Sequence, residues 1–522
     1  MVSILFVGRF CKAGFSLLIV SFLLMCVGCG GSNADPAAPT DPLISGTVAA
    51  TGNPLVAQYT ISPPTPASVA VEFGPDQSYG LRTSPQTSST TGPVSILVAG
   101  MKQNTTYHMR AIVTYSDGSQ QFDIDHTFLT GTIPSQRVPS ITVTNASGSP
   151  PTQGIDLISL TIGNANQLLA LATDPAGNVI WYYDYDSSLG IPQPIKLLPN
   201  GHMLLVLSKV PASGSTVREI DLAGNVIQEF DSNTLAQKLQ TAGYNLQVHS
   251  IDHDFVLLPN GHLLLLITNT KTFNDLPGYP GQTVVMGNAI VDLDATGNPV
   301  WVWDAFDHLD VNRHPLWFPD WTHANALVYS QDDGNLLFSL RHQSWILKID
   351  YRNGAGAGDI LWKLGYQGDF TLQNSNSASD WFFAQHDSNF ASSNTTGQIQ
   401  LAMFDNGDGR PVDANGTQCA GLIAPLCFST AAIFQVDETA HTASRWWSFT
   451  TPYSWWGGST RVLPNSNLLV DETAPGDLNL TGSRVVEVTQ SPNPQVLRTM
   501  QINGQNSYRT IRLPSLYPGV QW

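Results

Sequence analysis

The residues best suited to chemistry in this sequence are histidines that recur beside polar residues, shortly before a predicted turn. Three segments share this arrangement: 248–254 (VHSIDHD), 320–325 (DWTHAN) and 384–390 (AQHDSNF). A single histidine is most often a hydrogen-bonded structural residue, like the histidine that stabilises WD repeats. Repetition at equivalent points instead favours a shared site, in which imidazoles act as nucleophiles or transfer protons. The candidates are His253, His323 and His386.

An arginine ends an apolar stretch in the same part of the chain. Arg341 follows the segment 336–340 (LLFSL), so its guanidinium is predicted to be buried. A buried cation requires a compensating anion. That anion is either a carboxylate of the chain, Asp320 or Asp387, or an anionic ligand. A guanidinium suits a tetrahedral oxyanion because it offers a planar fork of donors.

Aromatic residues are frequent around these segments. Many are expected to be ordinary core packing, since aromatic side chains dominate buried surface. The remainder could line a slot for an aromatic ring. The aromatic residues concerned are Trp317, Phe318, Trp321, Trp381, Phe382, Phe383, Trp455 and Trp456.

Two repeated turn units indicate which elements position these residues. The first opens an apolar or aromatic strand and occurs at 174–181, 221–227, 294–301 and, more loosely, 358–362. The second leads into a hydrophobic strand and occurs at 198–204, 258–264, 332–337 and 463–469. Most are hairpin signals, because Asn-Gly and Asp-Gly adopt the positive φ angles of tight turns. His202 and His262 follow such turns in apolar strands and are predicted to be structural.

The repeats predict an all-β fold whose larger part, 140–522, is a β-propeller. Roughly six units at intervals of about 50 to 85 residues suit four-stranded blades with inserted loops, and six blades are favoured over seven. The inner strands of a propeller converge on one channel, which would bring the three histidine segments together. A β-helix or a pair of sandwiches is the alternative arrangement.

The preceding region, 44–135, is predicted to be a small β-sandwich of the fibronectin-III or immunoglobulin kind. Val69, Val71 and Phe73 keep a period of two, as in a half-buried strand. The segment 100–111 (GMKQNTTYHMRA) resembles the tyrosine-corner strand of such sandwiches.

The first 29 residues have the features of an export signal. Arg9 and Lys12 precede an apolar stretch, 15–27, that is short for a membrane span. The sequence CVGC at 26–29 resembles a lipobox, which would make Cys29 a lipid anchor; a plain signal peptide is the alternative. Residues 30–43 have the composition of a flexible linker. The protein is therefore predicted to be exported, as a periplasmic, outer-membrane or cell-surface lipoprotein that meets a membrane only through this anchor.

Two cysteines, Cys419 and Cys427, lie in a loop-like stretch of the body of the chain. In an oxidising compartment such a pair is a candidate disulfide, and two free thiols are the alternative. No Cys and His spacing typical of a metal site accompanies them, so no metal is predicted.

Composition excludes one class of partner. The net charge of −17 comes from a shortage of basic residues, and only 12% of the chain is charged. Nucleic acid is therefore not a predicted partner, because neutralising phosphates requires concentrated Lys and Arg. No glycine-rich phosphate loop occurs, which argues against a nucleotide site.

Several short motifs occur together along most of the chain. They are 253–255 (HDF) followed by LPNG, 320–325 (DWTHAN), 339–344 (SLRHQS), 385–387 (QHD), 404–408 (FDNGD), 507–509 (SYR) and 516–518 (LYP). In combination they resemble the bacterial periplasmic aryl-sulfate sulfotransferases. The resemblance implies a β-sandwich followed by a six-bladed propeller, and an enzyme that needs neither an adenylyl sulfate donor nor a cofactor.

The resemblance also implies roles for the candidate residues. His386 would take the sulfuryl group from a phenolic sulfate and pass it to a second phenol. The sulfuryl oxygens would be bound by His253, His323, Asn325 and Arg341; Trp321 is the other predicted substrate-binding residue. A neutral imidazole that attacks sulfur gives a covalent intermediate, and His253 or His323 could exchange the proton of the phenol.

One position departs from the family pattern. Members commonly have a second histidine beside His253, where this chain has Asp252. The division of labour between His249 and His253 is therefore open. Two other functions are kept as alternatives, a non-catalytic cell-surface binding propeller and an aryl sulfatase that releases sulfate to water.

Overall fold

The computed structural model describes residues 44–148, 152–161, 166–209, 212–375, 377–392, 395, 397–413, 415–419, 426–476 and 482–522. Ile44–Trp522 forms one compact unit. The predicted signal peptide, the linker and Cys29 lie outside the described residues. Within the described ranges, no helix is long and apolar enough to cross a membrane.

The N-terminal part consists of two sheets. Nine strands form them: β1 Thr47–Ala50, β2 Ala57–Ile61, β3 Ala67–Gly74, β4 Leu81–Arg82, β5 Gln86–Ser88, β6 Val94–Val98, β7 Thr106–Tyr115, β8 Gln120–Phe122 and β9 His126–Leu129. The first sheet has the order β1-β2-β6. The second has the order β4-β3-β7-β8, with β5 joined to β3 and β9 joined to β7.

These two sheets share a buried apolar core. Tyr59 of the first sheet and Phe73 of the second both belong to it. The hydroxyl of Tyr107, on β7, accepts a hydrogen bond of 3.0 Å from the backbone N–H of Lys102. This is the contact expected of a tyrosine corner, in which the hydroxyl returns to the backbone a few residues upstream.

The rest of the chain forms six more sheets. Their first strands in chain order are β10 Ser140–Asn145, β11 Ile155–Leu160, β12 Ala170–Thr173, β13 Val179–Tyr183, β14 Ile191–Leu197, β15 Met203–Ser208, β16 Ser215–Ile220, β17 Val226–Asp231, β18 Val248–Leu257, β19 Leu263–Leu276, β20 Tyr279–Leu293 and β21 Pro299–Asp304. They continue with β22 Ala324–Tyr329, β23 Leu336–Leu340, β24 Trp345–Ile349, β25 Ile360–Gly365, β26 Thr371–Leu372, β27 His386–Phe390, β28 Gln398–Asp405, β29 Phe428–Asp437, β30 Thr442–Pro452, β31 Ser459–Val462, β32 Leu468–Thr473, β33 Gly482–Val488, β34 Val496–Asn503 and β35 Ser507–Leu513.

Each of the six sheets is built around four antiparallel strands. Three follow chain order directly: β14-β15-β16-β17, β18-β19-β20-β21 and β22-β23-β24-β25. A fourth has the order β26-β30-β29-β28-β27, in which the short β26 runs parallel to β30. The last two join the ends of this region, because β10 adds to β31–β34 and β35 adds to β11–β13.

The inner strands of these sheets contact one another in sequence. β14 contacts β18, β18 contacts β22, β22 contacts β27, and β27 contacts β31; β35 contacts both β31 and β14. Buried apolar clusters fill the spaces between neighbouring sheets. The three histidine segments therefore lie on adjacent inner strands.

The first repeated turn has a simple physical basis. The carboxylates of Asp174, Asp221 and Asp294 each accept a hydrogen bond of 2.9 Å from the backbone N–H four residues later. An aspartate that caps its own turn in this way explains why each copy begins with Asp. His202 and His262, after the second turn, pair with Glu219 and Asp292 on neighbouring strands, at 2.6 and 3.0 Å.

Helices are few. The described residues contain α1 Ser232–Thr241, α2 Ala305–His308 and short 3₁₀ turns at Ser135–Arg137, Ser187–Leu189, Arg341–Gln343, Arg352–Gly354 and Ala378–Asp380. Asp231 caps α1 by accepting from the N–H of Thr234 at 2.8 Å. The all-β prediction is confirmed.

Candidate functional site

Three inner strands are irregular where they carry a histidine. The pairing registers of β18, β22 and β27 all shift at the histidine segment. The backbone is left-handed at His253 (φ 65°), His323 (φ 45°) and Asp387 (φ 52°). Residues other than glycine rarely adopt positive φ, and bulges re-aim side chains near functional sites. The irregularity therefore marks these three positions as a candidate site.

The structure brings the three predicted histidines together. The ring centroids of His253 and His323 lie 4.9 Å apart. The ring of Tyr508, on β35, contacts both His253 and His386, with centroids 6.0 and 6.3 Å away. A fourth imidazole, that of His342, lies 4.5 Å from His323.

The first two histidines are each held by a carboxylate. His253 Nδ1 lies 2.7 Å from Asp252 Oδ1, and His323 Nδ1 lies 2.5 Å from Asp320 Oδ2. Burial opposes the ionisation of both aspartates, but the adjacent histidines hold the pKa of each carboxyl below its usual value. Burial also lowers the pKa of His323. Because ionised carboxylates only accept hydrogen bonds, Nδ1 donates to the aspartate in both rings, and Nε2 is the nitrogen left for a substrate.

His386 is held by an amide instead. Its Nδ1 lies 2.7 Å from Asn406 Oδ1. The orientation of Asn406 is fixed, because its Nδ2 donates to the carbonyls of Ser454 and Gly457 at 2.7 and 3.0 Å. His386 Nδ1 must therefore donate, and Nε2 keeps its lone pair. The backbone N–H of Gly457 donates a hydrogen bond of 3.3 Å to that lone pair.

The environment of His386 disfavours its protonation. The ring is buried, and burial together with the charge of Arg341 lowers the pKa of His386 well below its usual value. His386 is therefore a neutral imidazole at neutral pH, and among the described residues its unprotonated Nε2 accepts only the long hydrogen bond from Gly457.

Arg341 is buried, as predicted, but its carboxylate partner is neither of the two considered. Nη2 lies 3.5 Å from Asp408 Oδ2 and donates to the carbonyl of Trp455 at 2.7 Å. Asp320 instead holds His323, and Asp387 pairs with other arginines. Nε of Arg341 is buried and has no hydrogen-bond partner among the described residues. The guanidinium is thus only partly satisfied by the chain.

Asp408 is a weak partner for this arginine. Its other oxygen accepts a hydrogen bond from the hydroxyl of Tyr453. Burial raises the pKa of Asp408 to about 6, although Arg341 acts in the opposite direction. The carboxylate is therefore readily protonated in mildly acidic conditions.

The aromatic residues divide between the core and the site. Trp321, Trp381, Phe382 and Phe383 are buried in the core between sheets, and Phe318 packs partly against it. Trp317 is 44% exposed and lies beside the site, its ring 4.7 Å from the Arg341 guanidinium and 5.0 Å from the His342 ring. Trp455 and Trp456 precede Gly457 on the opposite flank, with buried Trp456 Nε1 unpaired within the described ranges.

The two predicted substrate-binding residues make contacts within the protein. Trp321 stacks on Phe306 with ring centroids 5.1 Å apart, and its Nε1 donates to the carbonyl of Arg313 at 2.8 Å. Asn325 Nδ2 donates to the carbonyl of Gln385 at 2.7 Å, which ties β22 to the residue before His386. Buried Asn325 Oδ1 has no partner among the described residues. A role in binding substrate stays a prediction for both residues.

One cluster has the composition of a cation site. The possible ligand atoms of Asp320, His323 and His342 lie within 4.8 Å of one another. However, His342 Nδ1 lies 2.5 Å from the carbonyl oxygen of Asp320 and must donate to it, while Nε2 accepts from Arg341 at 3.1 Å. Both ring nitrogens of His342 are thus engaged, and the cluster is a hydrogen-bond network as it stands.

A disulfide bond joins Cys419 and Cys427, as the sequence predicted; the two Cα atoms lie 5.5 Å apart. Cys419 is adjacent to the site through its backbone, since its carbonyl accepts from the N–H of Gly409, the residue after Asp408. The bond therefore joins the segment paired with Gly409 to the residue before β29.

A sequence profile of the arylsulfotransferase (ASST) family matches residues 142–509, which include His253, His323, His342, His386 and Arg341. The chain belongs to the arylsulfotransferase family. Membership indicates a sulfotransferase whose substrates are phenolic sulfates and phenols.

Comparisons with solved structures and with curated sequences give no further information about the function of this arylsulfotransferase. An ACO/RPE65 chimera is 11% identical over 88% of this chain and 94% of its own, with a TM-score of 0.29. A DUF4221-family protein from Bacteroides vulgatus is 8% identical over 72% of this chain and 98% of its own, also with a TM-score of 0.29. No curated protein sequence matches at a significant level.

Sequence reasoning named the reacting groups of this arylsulfotransferase but missed the residues that orient them. Asn406, Asp408 and Tyr508 lie in the motifs at 404–408 and 507–509, yet none was assigned a role. Asn406 could have been predicted as the partner of a neutral histidine, because its amide is the one uncharged side-chain acceptor in the motif FDNGD. His342 gave no signal beyond its position beside Arg341.

Proposed function

We propose that this arylsulfotransferase transfers a sulfuryl group from a phenolic sulfate to a second phenol by a ping-pong mechanism, through a covalent intermediate on His386 Nε2. The contact that carries this proposal is the hydrogen bond between His386 Nδ1 and Asn406 Oδ1, 2.7 Å long. It leaves Nε2 as the unprotonated nitrogen of a neutral ring, which is the nucleophilic form of imidazole. The low pKa of His386, caused by burial and by Arg341, supports the same assignment.

The first half-reaction transfers sulfur to the enzyme. His386 Nε2 attacks sulfur, the N–S bond forms, and the bond from sulfur to the phenolic oxygen breaks. Three residues near His386 carry a buried donor without a partner among the described residues: Arg341 at Nε, Trp456 at Nε1 and Tyr508 at its hydroxyl. Such donors stabilise the negative charge of the sulfuryl oxygens because they are already aimed and desolvated.

His323 exchanges the proton of the phenol. Its side chain and that of Asp320 are 18% and 32% exposed, against 7% and 1% for His253 and Asp252. A cavity of ≈ 50 Å³ lies against both pairs and has room for water. The departing phenolate takes a proton through His323, whose imidazolium form is favoured by the anionic donor. His253, which is sealed from solvent, binds a sulfuryl oxygen instead.

The second half-reaction reverses these steps. The acceptor phenol gives its proton to His323 while its oxygen attacks sulfur, and the N–S bond to His386 breaks. Trp317 and the pair Trp455 and Trp456 flank Arg341, so an aromatic ring bound there would place its oxygen beside the sulfuryl group. This explains a preference for phenols over aliphatic alcohols.

The architecture and location are part of the same proposal. Six sheets of four antiparallel strands, with inner strands in cyclic contact, support a closed six-bladed β-propeller over 140–522. Two sheets with a shared core support a fibronectin-III or immunoglobulin-like sandwich at 44–135. The lipobox-like CVGC supports an exported lipoprotein anchored at Cys29.

The test is the release of 4-nitrophenol from 4-nitrophenyl sulfate, with the donor and phenol varied independently. Parallel lines in double-reciprocal plots are expected, because donor and acceptor react in separate steps. Release that does not depend on phenol would indicate a sulfatase. No release at all, from a protein that is folded, would leave a binding propeller as the function.

A further inference from the structure

Two of the histidines are followed in the chain by buried aspartates that face the same arginine. Asp254 follows His253, and Asp387 follows His386. Arg509 lies between them, with its side chain only 1% exposed. Its Nη1 lies 3.5 Å from Asp254 Oδ1, and its Nε lies 3.2 Å from Asp387 Oδ1. These distances are those of ion pairs rather than of well-formed hydrogen bonds.

The same guanidinium reaches the third histidine strand. Nη2 of Arg509 donates to the carbonyl oxygen of Asn325 at 2.9 Å, two residues after His323. One side chain on β35 therefore contacts β18, β22 and β27, each within two residues of its histidine. The preceding residue, Tyr508, places its ring against His253 and His386.

Other cations compensate the two aspartates from their other sides. Lys196 Nζ lies 2.5 Å from Asp254 Oδ1, and Arg461 donates to the two oxygens of Asp387 at 2.5 and 2.8 Å. Of the cations in the described ranges, Arg509 is the one in ion-pair contact with both carboxylates. Loss of one partner from a buried ion pair leaves charge uncompensated.

We propose that Arg509 is a positioning residue for the histidine cluster, which fixes the spacing of β18, β22 and β27 and neutralises the carboxylates that adjoin His253 and His386. The inference rests on the proposed function, since it concerns the same reacting groups. Displacing a reacting group by about 1 Å can cost about 100-fold in rate even when the changed residue never touches substrate.

Arg509 also has an electrostatic consequence for His386. The titratable and charged groups around His386 are Arg341, His253, His323 and Tyr508. Those around Arg509 and its aspartates are Lys196, Arg461, Tyr508 and Asp471. Without Arg509, Asp254 and Asp387 would favour the imidazolium form of His386. The nucleophilic form would then be reached only at higher pH.

The chain offers a matched control on the same strand. Arg512, three residues further along β35, is 2% exposed in its side chain. It pairs with Asp156 at 2.5 Å and with Glu487 at 3.6 Å. Those carboxylates belong to β11 and β33, which carry none of the three histidines. Removing Arg512 therefore disturbs a comparable buried ion pair away from the site.

The experiment compares Arg509→Met, Arg509→Lys and Arg512→Met in the full-length protein. Thermal unfolding gives the folded fraction, and 4-nitrophenol release with phenol present gives kcat and KM across pH. We expect Arg509→Met to lower kcat by about 100-fold, with a smaller change in donor KM, and to move the acid limb of the kcat profile to higher pH. Arg509→Lys should restore the acid limb, because it restores charge, but only part of kcat, because it cannot contact three strands.

Arg512→Met is expected to lower the unfolding temperature while leaving kcat and the acid limb of the folded fraction unchanged. If Arg509→Met matches Arg512→Met in both quantities, Arg509 is merely structural and the inference is wrong. If Arg509→Met does not fold, Arg509→Lys is compared with Arg512→Lys: a lower kcat in the first alone supports the inference, and equal kcat overturns it. A wild-type protein without transferase activity would instead contradict the proposed function.

Discussion

Two kinds of histidine meet at the centre of this arylsulfotransferase, and they differ in what holds Nδ1. His253 and His323 are backed by the carboxylates of Asp252 and Asp320, whereas His386 is backed by the amide of Asn406. A carboxylate stabilises imidazolium and suits a ring that gains and loses protons. An amide oxygen orients the ring without adding charge. It therefore suits a ring that must stay neutral.

The difference matters in both half-reactions. In the proposed mechanism, a neutral His386 has the lone pair that attacks sulfur, and a nitrogen of low basicity leaves sulfur easily when the acceptor arrives. Arg341 reinforces this state, since its charge lowers the pKa of His386 further. Burial and the same charge also lower the pKa of His323, but there the carboxylate of Asp320 opposes them. The departure from the family pattern at Asp252 now has a structural meaning, because it supplies the carboxylate behind His253.

The largest effect is expected from removing the amide-backed ring. In His386→Asn, kcat should fall on the order of 10⁴-fold or more, as when covalent nucleophiles are removed from other enzymes. The measurement is 4-nitrophenol release, with circular dichroism to check the fold. His253→Asn is the matched control and should retain more activity. If kcat of His386→Asn were within tenfold of the wild-type value, the ring held by an amide would be no more important for catalysis than the rings held by carboxylates.

A smaller loss, on the order of 10²- to 10⁴-fold, is expected from His323→Asn, which removes proton exchange. The loss should shrink for phenyl sulfates whose phenols are more acidic, because their phenolates leave without a proton. Rates over a series of substituted phenyl sulfates measure this dependence. The slope of the logarithm of the rate against the pKa of the leaving phenol should be the same in His253→Asn as in the wild type. If that slope is steeper in His253→Asn alone, His253 exchanges the proton and His323 binds the sulfuryl oxygen.

Converting one kind of histidine into the other tests the comparison itself. Asn406→Asp places a carboxylate behind His386 and raises its pKa, so imidazolium without a lone pair forms at higher pH than in the wild type. We expect the acid limb of the kcat profile to move up by about one or two pH units, which gives a loss of about 10- to 100-fold at pH values below the wild-type limb. Activity should recover as pH rises. A pH profile identical to wild type would show that the amide does not keep the ring neutral.

The smallest effect concerns Arg341. Asp408, with its pKa raised to about 6 by burial, competes with the donor for this guanidinium only when it is ionised. As pH falls through about 6, protonation of Asp408 should free Arg341 and lower the KM of the donor a few-fold. In Asp408→Asn, the KM of the donor should be lower than the wild-type value at neutral pH, and it should not change with pH over this range. A KM that falls equally in the variant would assign the effect to another group.

The sequence predicted the sheets and the reacting groups because both have local signals. Asp-capped turns and Asn-Gly hairpins mark strand ends, and each histidine recurs at one point of its repeat. Burial of Arg341 followed from the apolar strand before it. The disulfide followed from two cysteines close together in a loop.

Sequence patterns do not predict the contacts between segments that are distant in the chain. Arg341 faces Asp408, 67 residues away, because the end of β28 meets the turn after β23. Trp321 packs on Phe306 in the core, and its role in binding substrate stays a prediction, whereas Trp317, one of several aromatics in the sequence, lies beside Arg341. The partner of His386 Nδ1 is likewise distant, since Asn406 lies 20 residues away, whereas Asp252 and Asp320 lie within three residues of the histidines they contact.

The most direct test of His386 as the sulfuryl carrier is to trap the intermediate. The protein is mixed with 4-nitrophenyl sulfate without a phenol, quenched at alkaline pH, digested and mapped by mass spectrometry. We expect the mass of one sulfuryl group on the peptide that contains His386, in an amount equal to the initial burst of 4-nitrophenol, and its loss when phenol is added before the quench. A sulfuryl group on His253 or His323, or a burst without any modified peptide, would contradict the assignment.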